Sequence, residues 1–337
     1  MPLATERPMR AVNNLLVLYT GGTIGMLETP EGLAPAGGFE ARMREHLAQR
    51  PDAPRLKWSL RELDPLLDSA NMQQANWLAM RDAIIEAVER DGHDGVLVLH
   101  GTDTLAYSAA ALSFLLLGLP VPVLLTGSML PAGAPGSDAW DNLEGALQLF
   151  AGELEDGVQL YFNGQLLHGA RASKLRSEAF DAFVVLPRHR EGEKAESIPA
   201  LLDYRQRRET VNLVVLPVFP GLQAQHVQAL LATGAQGLLL ECYGSGTGPS
   251  DDQALLDALH DARQNGVMIV AISQCPEGAV EFGTYAAGSR LRDTGLVSGG
   301  GMTREAALGK MFALLGAGLD VQVAERWFAL DLCGERS

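Results

Sequence analysis

Two short segments of this chain each run an apolar strand into a glycine turn that carries threonine. Leu15-Leu16-Val17-Leu18-Tyr19 breaks into Thr20-Gly21-Gly22-Thr23-Ile24-Gly25, and Val96-Leu97-Val98-Leu99-His100 breaks into Gly101-Thr102-Asp103-Thr104. Unbroken Val/Leu runs of this kind read as strands buried on both faces of a parallel sheet. Ligands of such sheets bind beyond the carboxyl ends of the strands, and glycine there lets the backbone come close to a small ligand. Two threonines at one rim point to hydroxyl chemistry. Asp103 adds a carboxylate suited to holding a substrate ammonium, and equally suited to capping the helix that starts near Thr104. Taken alone, the first turn fits a nucleotide loop or a plain structural turn as well, although it has neither the Gly-Lys-Ser/Thr of a Walker loop nor the G-x-G-x-x-G spacing.

The elements that must position these turns follow from periodicity. Short Val/Leu/Ile-rich runs alternate with amphipathic segments, which predicts parallel βαβ units. Residues 76–90 place Trp77, Met80, Ile84 and Val88 on one helical face, and 105–117 is apolar nearly all round, as a buried helix is. A strand at 121–125 opens into Thr126-Gly127-Ser128-Met129-Leu130-Pro131, followed by a helix at 141–151 and a strand at 158–162. Between 188 and 208 the chain turns charged and aperiodic, the mark of a linker. Beyond it, strands at 211–216, 237–241 and 267–272 alternate with helices at 224–232, 253–264 and 303–315, the middle helix opened by a Ser250-x-x-Gln253 capping box. The predicted class is α/β: a larger N-terminal domain over 1–190 with a mostly parallel sheet, a linker at 191–210, and a smaller C-terminal α/β domain over 211–337. Residues 25–38, with Gly32, Gly37 and Gly38 between Pro30 and Pro35, read as a lid over the first turn or as an ordinary surface loop.

Composition narrows the function. A formal net charge of −15 opposes nucleic acid and anionic membrane, and no Lys/Arg cluster offsets it. Cys242, Cys275 and Cys333, odd in number and far apart, read as reduced thiols. The first fourteen residues lack the apolar stretch of a signal peptide, and the longest apolar run, 109–120, is too short to cross a bilayer. The expectation is a cytoplasmic protein. Seven histidines show no metal-ligand spacing, so no metal is expected, and His100 reads as a hydrogen-bonded core residue. Asp138, Asp141 and Glu144 read as acids that complement a helix start.

Together, the turns at 20–25, 101–104 and 126–128 resemble the signatures of bacterial-type L-asparaginases, closest to the cytoplasmic type I branch. Asp68-Ser69-Ala70-Asn71-Met72, Arg171-Ala172-Ser173-Lys174 and Tyr285-Ala286-Ala287-Gly288 fit the same pattern, so the resemblance spans most of the chain. It implies an amidohydrolase that converts L-asparagine to L-aspartate and ammonia through a threonyl acyl-enzyme, without a cofactor, as a homodimer or homotetramer. In that scheme Thr23 is the nucleophile on the side-chain amide carbon. Thr102, Lys174 and Asp103 activate a hydroxyl or the incoming water, as a threonine hydroxyl requires a neighbouring base. The implied substrate contacts are Gly22, Asp68, Ser69, Gly101, Thr102, Asp103 and Ser128. Ser69 and Asp103 hold the α-carboxylate and α-ammonium, and turn amides stabilise the oxyanion, each donor worth roughly 3 kcal/mol. Read without the resemblance, Lys174 looks like a surface lysine, flanked as it is by Arg171 and Arg176.

The departures from the pattern are specific. Leu33 stands where bacterial type I relatives carry a lid tyrosine, so another tyrosine supplies that hydroxyl, or Thr23 is activated differently, or activity is weak. Ala70 replaces a hydrogen-bonding side chain, Thr247 an asparagine, and Glu241 a basic residue of the regulatory region of some relatives. Two rival readings follow. An ammonia-supplying amidotransferase subunit shares the motifs, and a non-catalytic asparagine sensor accommodates Leu33, Ala70 and Thr247.

Overall fold

A computed structural model describes residues 8–30, 32–187 and 191–336. The start of the segment read for a signal peptide (1–7), Glu31 of the expected lid and residues 188–190 at the expected domain boundary lie outside the described residues. The described residues divide into two compact units, one built on those up to Val185 together with Asp203–Arg205, the other on those of Leu186–Leu202 and from Gln206 onward. The segment expected as a linker is thus shared between both units. Tyr204 is buried in the core of the first, where its hydroxyl donates to Glu89 at 2.9 Å.

In the first unit a short strand (β1, Met9–Ala11) precedes the first motif strand (β2, Asn14–Gly21), which ends in a 3-10 turn, Thr23–Gly25. A hairpin (β3, Leu27–Thr29; β4, Gly32–Ala34), a helix (α1, Phe39–Ala48) and a long strand (β5, Lys57–Leu67) follow. Next come α2 (Gln74–Glu89), the second motif strand β6 (Gly95–Leu99), α3 (Leu105–Leu115), β7 (Pro122–Thr126) and α4 (Ala139–Phe150). Strands β8 (Glu153–Glu155), β9 (Gly157–Phe162), β10 (Gln165–His168), β11 (Ala172–Lys174) and β12 (Phe183–Val185) complete the unit. Six strands form one sheet in the order β10-β9-β7-β6-β2-β5. Only β10 runs antiparallel to its neighbour.

The unbroken apolar runs of β2 and β6 are explained by helices on both faces. Leu16, Leu18, Val96 and Val98 share a cluster with Met80, Ile84, Leu105 and Leu112 of α2 and α3. The alternate residues Leu15, Val17, Leu97 and Leu99 pack with Phe39, Met43, Leu143 and Phe150 of α1 and α4. Each such side chain contributes about 1.5–3 kcal/mol on leaving water. Helix α3 is buried along ten of its eleven residues, which is why its sequence shows no polar face.

The second unit contains β13 (Leu213–Pro217), α5 (Ala224–Leu231), β14 (Gly237–Cys242), α6 (Gln253–Gln264), β15 (Met268–Ser273), α7 (Ala286–Asp293), β16 (Val297–Ser298), α8 (Arg304–Leu315) and α9 (Val321–Ala329). Its four strands form a parallel sheet in sequence order. The α/β class with a smaller C-terminal parallel sheet is therefore as expected. One local reading is corrected: the cap of α6 is Asp252, whose carboxylate accepts from Leu255 N at 3.1 Å, so Ser250 lies too far upstream to form the capping box. No helix among the described residues is long and apolar enough to cross a membrane.

The second unit also holds a fully buried ion pair, Lys310 with Glu335. Lys310 Nζ donates as well to the Phe328 carbonyl at 3.0 Å, and Glu335 accepts from the amides of Leu332 and Cys333 at 3.0 and 2.8 Å. Burial alone would push the Glu335 carboxyl up; the Lys310 ammonium and its hydrogen bond, the contact with the Asp331 side chain, and the Cys333 amide reverse this and hold it at about 2, against 4.5 ordinarily. A carboxyl lowered by folding stabilises fully above its unfolded value, and that contribution fades as pH falls from about 4.5 towards 2. Lys310→Met strands the carboxylate, and breaking a buried pair from one side costs about 3–5 kcal/mol. Urea unfolding should show that loss for K310M, and a smaller loss for K310M/E335Q than the two single losses added together.

Candidate active site

The sheet register brings the threonine turns together. Tyr19 of β2 lies opposite Leu99 of β6, and Leu99 lies opposite Thr126 of β7, so three adjacent strands release their turns at one rim. Thr20 Oγ1 donates to the Leu99 carbonyl at 2.9 Å, and His100 N donates to the Thr126 carbonyl at 2.9 Å. Gly22 sits at φ +84, and a Cβ there would overlap the backbone of Gly101 and His100. The Thr23 turn and the Thr102 turn therefore touch backbone to backbone. A fourth segment closes on them from the end of β5. Ser69, buried, packs its side chain where a Cβ of Gly101 would lie, its carbonyl accepts from Thr104 Oγ1 at 2.8 Å, and Asp68 caps the Ser69–Asn71 turn by accepting from Ala70 N at 3.1 Å.

Lys174 enters this cluster from β11, which is paired with β12. Its Nζ donates to Thr102 Oγ1 at 3.0 Å and to Asp103 Oδ1 at 2.9 Å, and its side chain is only 20% exposed. The surface-lysine reading is overturned, and so is the reading of Asp103 as a helix cap: the N-cap of α3 is Thr104, and the Asp103 carboxylate faces Lys174 instead. With 62% of the Asp103 side chain in water, this pair adds little to stability. What it does is place an ammonium and a carboxylate beside a buried hydroxyl. Thr23 is partly exposed in its 3-10 turn, its carbonyl accepting from Met26 N at 3.1 Å.

The third turn is held from α4 by residues that sequence reasoning treated as dipole acids or passed over. Asp138 accepts from the amides of Met129 and Leu130 at 3.0 and 3.1 Å and from Asn142 Nδ2 at 3.0 Å. Asn142 Nδ2 also reaches the Gly127 carbonyl at 3.0 Å, while its Oδ1 accepts from Asn163 N at 2.8 Å. A carboxylate and an amide one helical turn apart, directly after a glycine turn, are the signal that marks such a clamp. Ser128 is fully buried and donates to the Leu130 carbonyl at 2.6 Å, so its hydroxyl shapes the turn. Ala132 N donates to the Ile24 carbonyl at 3.2 Å, tying this turn back to the first.

The segment read as a lid or loop is a short hairpin, with Leu33 opposite Glu28 and 48% exposed. Leucine offers no proton, and the tyrosine beneath the turn does not replace one. Tyr19 is buried, its hydroxyl donates to the Ala36 carbonyl at 3.2 Å, and its ring fills the space beside Gly25. Burial raises its pKa to about 12, with Arg42 opposing and Glu62 reinforcing, so it stays a protonated donor. Arg42 Nη2 meanwhile holds the Gly25 carbonyl at 3.0 Å.

Fold and sequence together define a hydrolase of the asparaginase type. The model of the asparaginase N-terminal domain matches residues 14–197, and that of the glutaminase/asparaginase C-terminal domain matches 212–328; the chain belongs to the asparaginase family. It is 33% identical to L-asparaginase 1 of Escherichia coli K12, over 96% of this chain and 97% of that protein. The crystal structure of L-asparaginase I from Vibrio cholerae superposes with a TM-score of 0.84 at 32% identity, covering 97% of this chain and 100% of that one. The chain is also 31% identical to a component of the glutamyl-tRNA(Gln) amidotransferase of Aeropyrum pernix, over 100% of its own length and 82% of that protein's.

The contact between Gly22 and Gly101 is open to a direct test. Gly22→Ala forces a side chain into backbone at a left-handed φ, a strain of about 1–3 kcal/mol before any displacement of the turns. Gly133→Ala, where nothing lies within 4 Å of the added carbon, is the control. Chemical unfolding should show a clear loss for G22A and none for G133A.

Proposed function

We propose that this protein hydrolyses L-asparagine to L-aspartate and ammonia through an ester on Thr23. The observation that carries the reading is the Lys174 bridge to Thr102 and Asp103, at 3.0 and 2.9 Å, on a rim where Gly22 presses the Thr23 turn onto Gly101. Thr23 Oγ attacks the side-chain amide carbon as its proton passes to the departing nitrogen. The C–N bond breaks, ammonia leaves, and the aspartyl group remains esterified. Water then adds to the ester carbon and gives its proton to the Thr102–Lys174–Asp103 group. The C–Oγ bond breaks as a proton returns to Thr23, releasing aspartate. Ser69 and Asp103 receive the α-carboxylate and α-ammonium, with Gly22, Asp68, Gly101, Thr102 and the Ser128 turn lining the substrate. No cofactor takes part.

The reading extends to a cytoplasmic homodimer or homotetramer. Three cysteines outside any disulfide, Cys242 and Cys333 buried and Cys275 exposed, suit a reducing compartment. The likeness to an amidotransferase component supports a second reading, in which the ammonia passes to a partner chain.

Ammonia release from asparagine and from glutamine tests both. Thr23→Val should lose at least about a thousandfold in kcat, as removal of a nucleophile does. Thr102→Val and Lys174→Met should each lose about a hundredfold to ten-thousandfold, the range for proton transfer. Wild-type turnover by T23V would falsify the ester mechanism. A wild-type protein that binds asparagine yet releases no ammonia is a sensor, and one that releases it only with a partner chain belongs to a transferase.

A further inference from the structure

We propose that Trp77, Ser108 and His100 form a positioning relay that sets the peptide between Gly101 and Thr102, and through it the catalytic hydroxyl. For its effect on turnover, the inference rests on the hydrolase reading above. His100 and Ser108 are fully buried. His100 Nδ1 lies 2.7 Å from the Gly101 carbonyl oxygen, and its Nε2 lies 2.8 Å from Ser108 Oγ. Trp77 Nε1, from α2, donates to the same Ser108 oxygen at 2.9 Å.

The two ends of this chain leave no choice of direction, because an indole N–H only donates and a carbonyl only accepts. Ser108 therefore accepts from Trp77 and gives its own proton to His100 Nε2. His100 must carry its proton on Nδ1 and donate it to the Gly101 carbonyl. Burial lowers the imidazole pKa to about 4, the Gly101 carbonyl opposing, so the ring remains neutral at working pH and the pattern persists. In a trans peptide the C=O and N–H point in opposite directions within one plane. Drawing the Gly101 carbonyl to the ring therefore aims the Thr102 amide the other way and fixes the bond from which the Thr102 side chain departs. Lys174 meets Thr102 Oγ1 only with that peptide in place.

The test reads both the tautomer and the rate. Spectra of the full chain labelled with 15N-histidine, with His100 assigned by difference from H100N, should show the Nδ1–H form unchanged from about pH 6 to about pH 9. Ser108→Ala frees Nε2 from its donor and should lower kcat by about tenfold to a hundredfold, with KM held within about twofold. Ser108→Thr, which keeps the hydroxyl, should restore it. H100N keeps a donor where Nδ1 was and should retain more kcat than H100L at a matched thermal midpoint. An Nε2–H tautomer in the unmodified protein, or wild-type kcat in S108A, overturns the relay. Since the tautomer is read without substrate, a protein showing Nδ1–H but releasing no ammonia counts against the hydrolase reading and leaves the relay geometry standing.

Discussion

The site depends on a place where two backbones touch with no side chain between them. Gly22 lies so close to Gly101 that a single added carbon would overlap it, and this contact brings together the backbones of turns separated by some eighty residues. The parallel register beneath makes the contact possible, because Tyr19 and Leu99 are the last residues paired between β2 and β6, immediately before the turns. That register is in turn fixed by burial on both faces: a one-residue slip would exchange the side chains facing α2 and α3 for those facing α1 and α4.

Around this contact, the polar groups divide the work by location. Buried donors and acceptors such as Thr20, Asp138, Asn142 and Ser128 are spent on main-chain partners, so they hold the turns in shape. Burying such groups is tolerable because each is satisfied. Groups that keep access to water, Thr23 and Asp103 among them, remain available to a ligand. In a chain of net charge −15, Lys174 is a local exception, and its ammonium faces a hydroxyl of the rim that burial has withdrawn from solvent.

Much of the framework was legible in the sequence because it rests on strong, local signals. The motif strands, α2, α3 and strands β13, β14 and β15 agree with their predicted spans to within a few residues, since continuous apolar runs and three-to-four spacing survive without tertiary knowledge. Strand β5 was not legible: its residues alternate unevenly, and Pro65 interrupts them, which an edge strand tolerates. Helix α1 buries only Phe39 and Met43, too few for a periodic face. Lys174 was misjudged by its own residues because its environment is made by Thr102 and Asp103, about seventy positions earlier; the family resemblance, not its neighbours, marked it. The same holds for Asp138, whose partners Met129 and Leu130 lie in a preceding turn rather than in its helix.

Tyr19 and Gly25 carry a consequence for how this chain can change. The phenol occupies the volume that any larger residue at 25 would need, while its hydroxyl is engaged with the Ala36 carbonyl. The two positions are therefore not free to drift independently. Enlarging residue 25 requires the ring to move or to have been replaced first, so the cost of a substitution at either position is set by the residue already standing at the other.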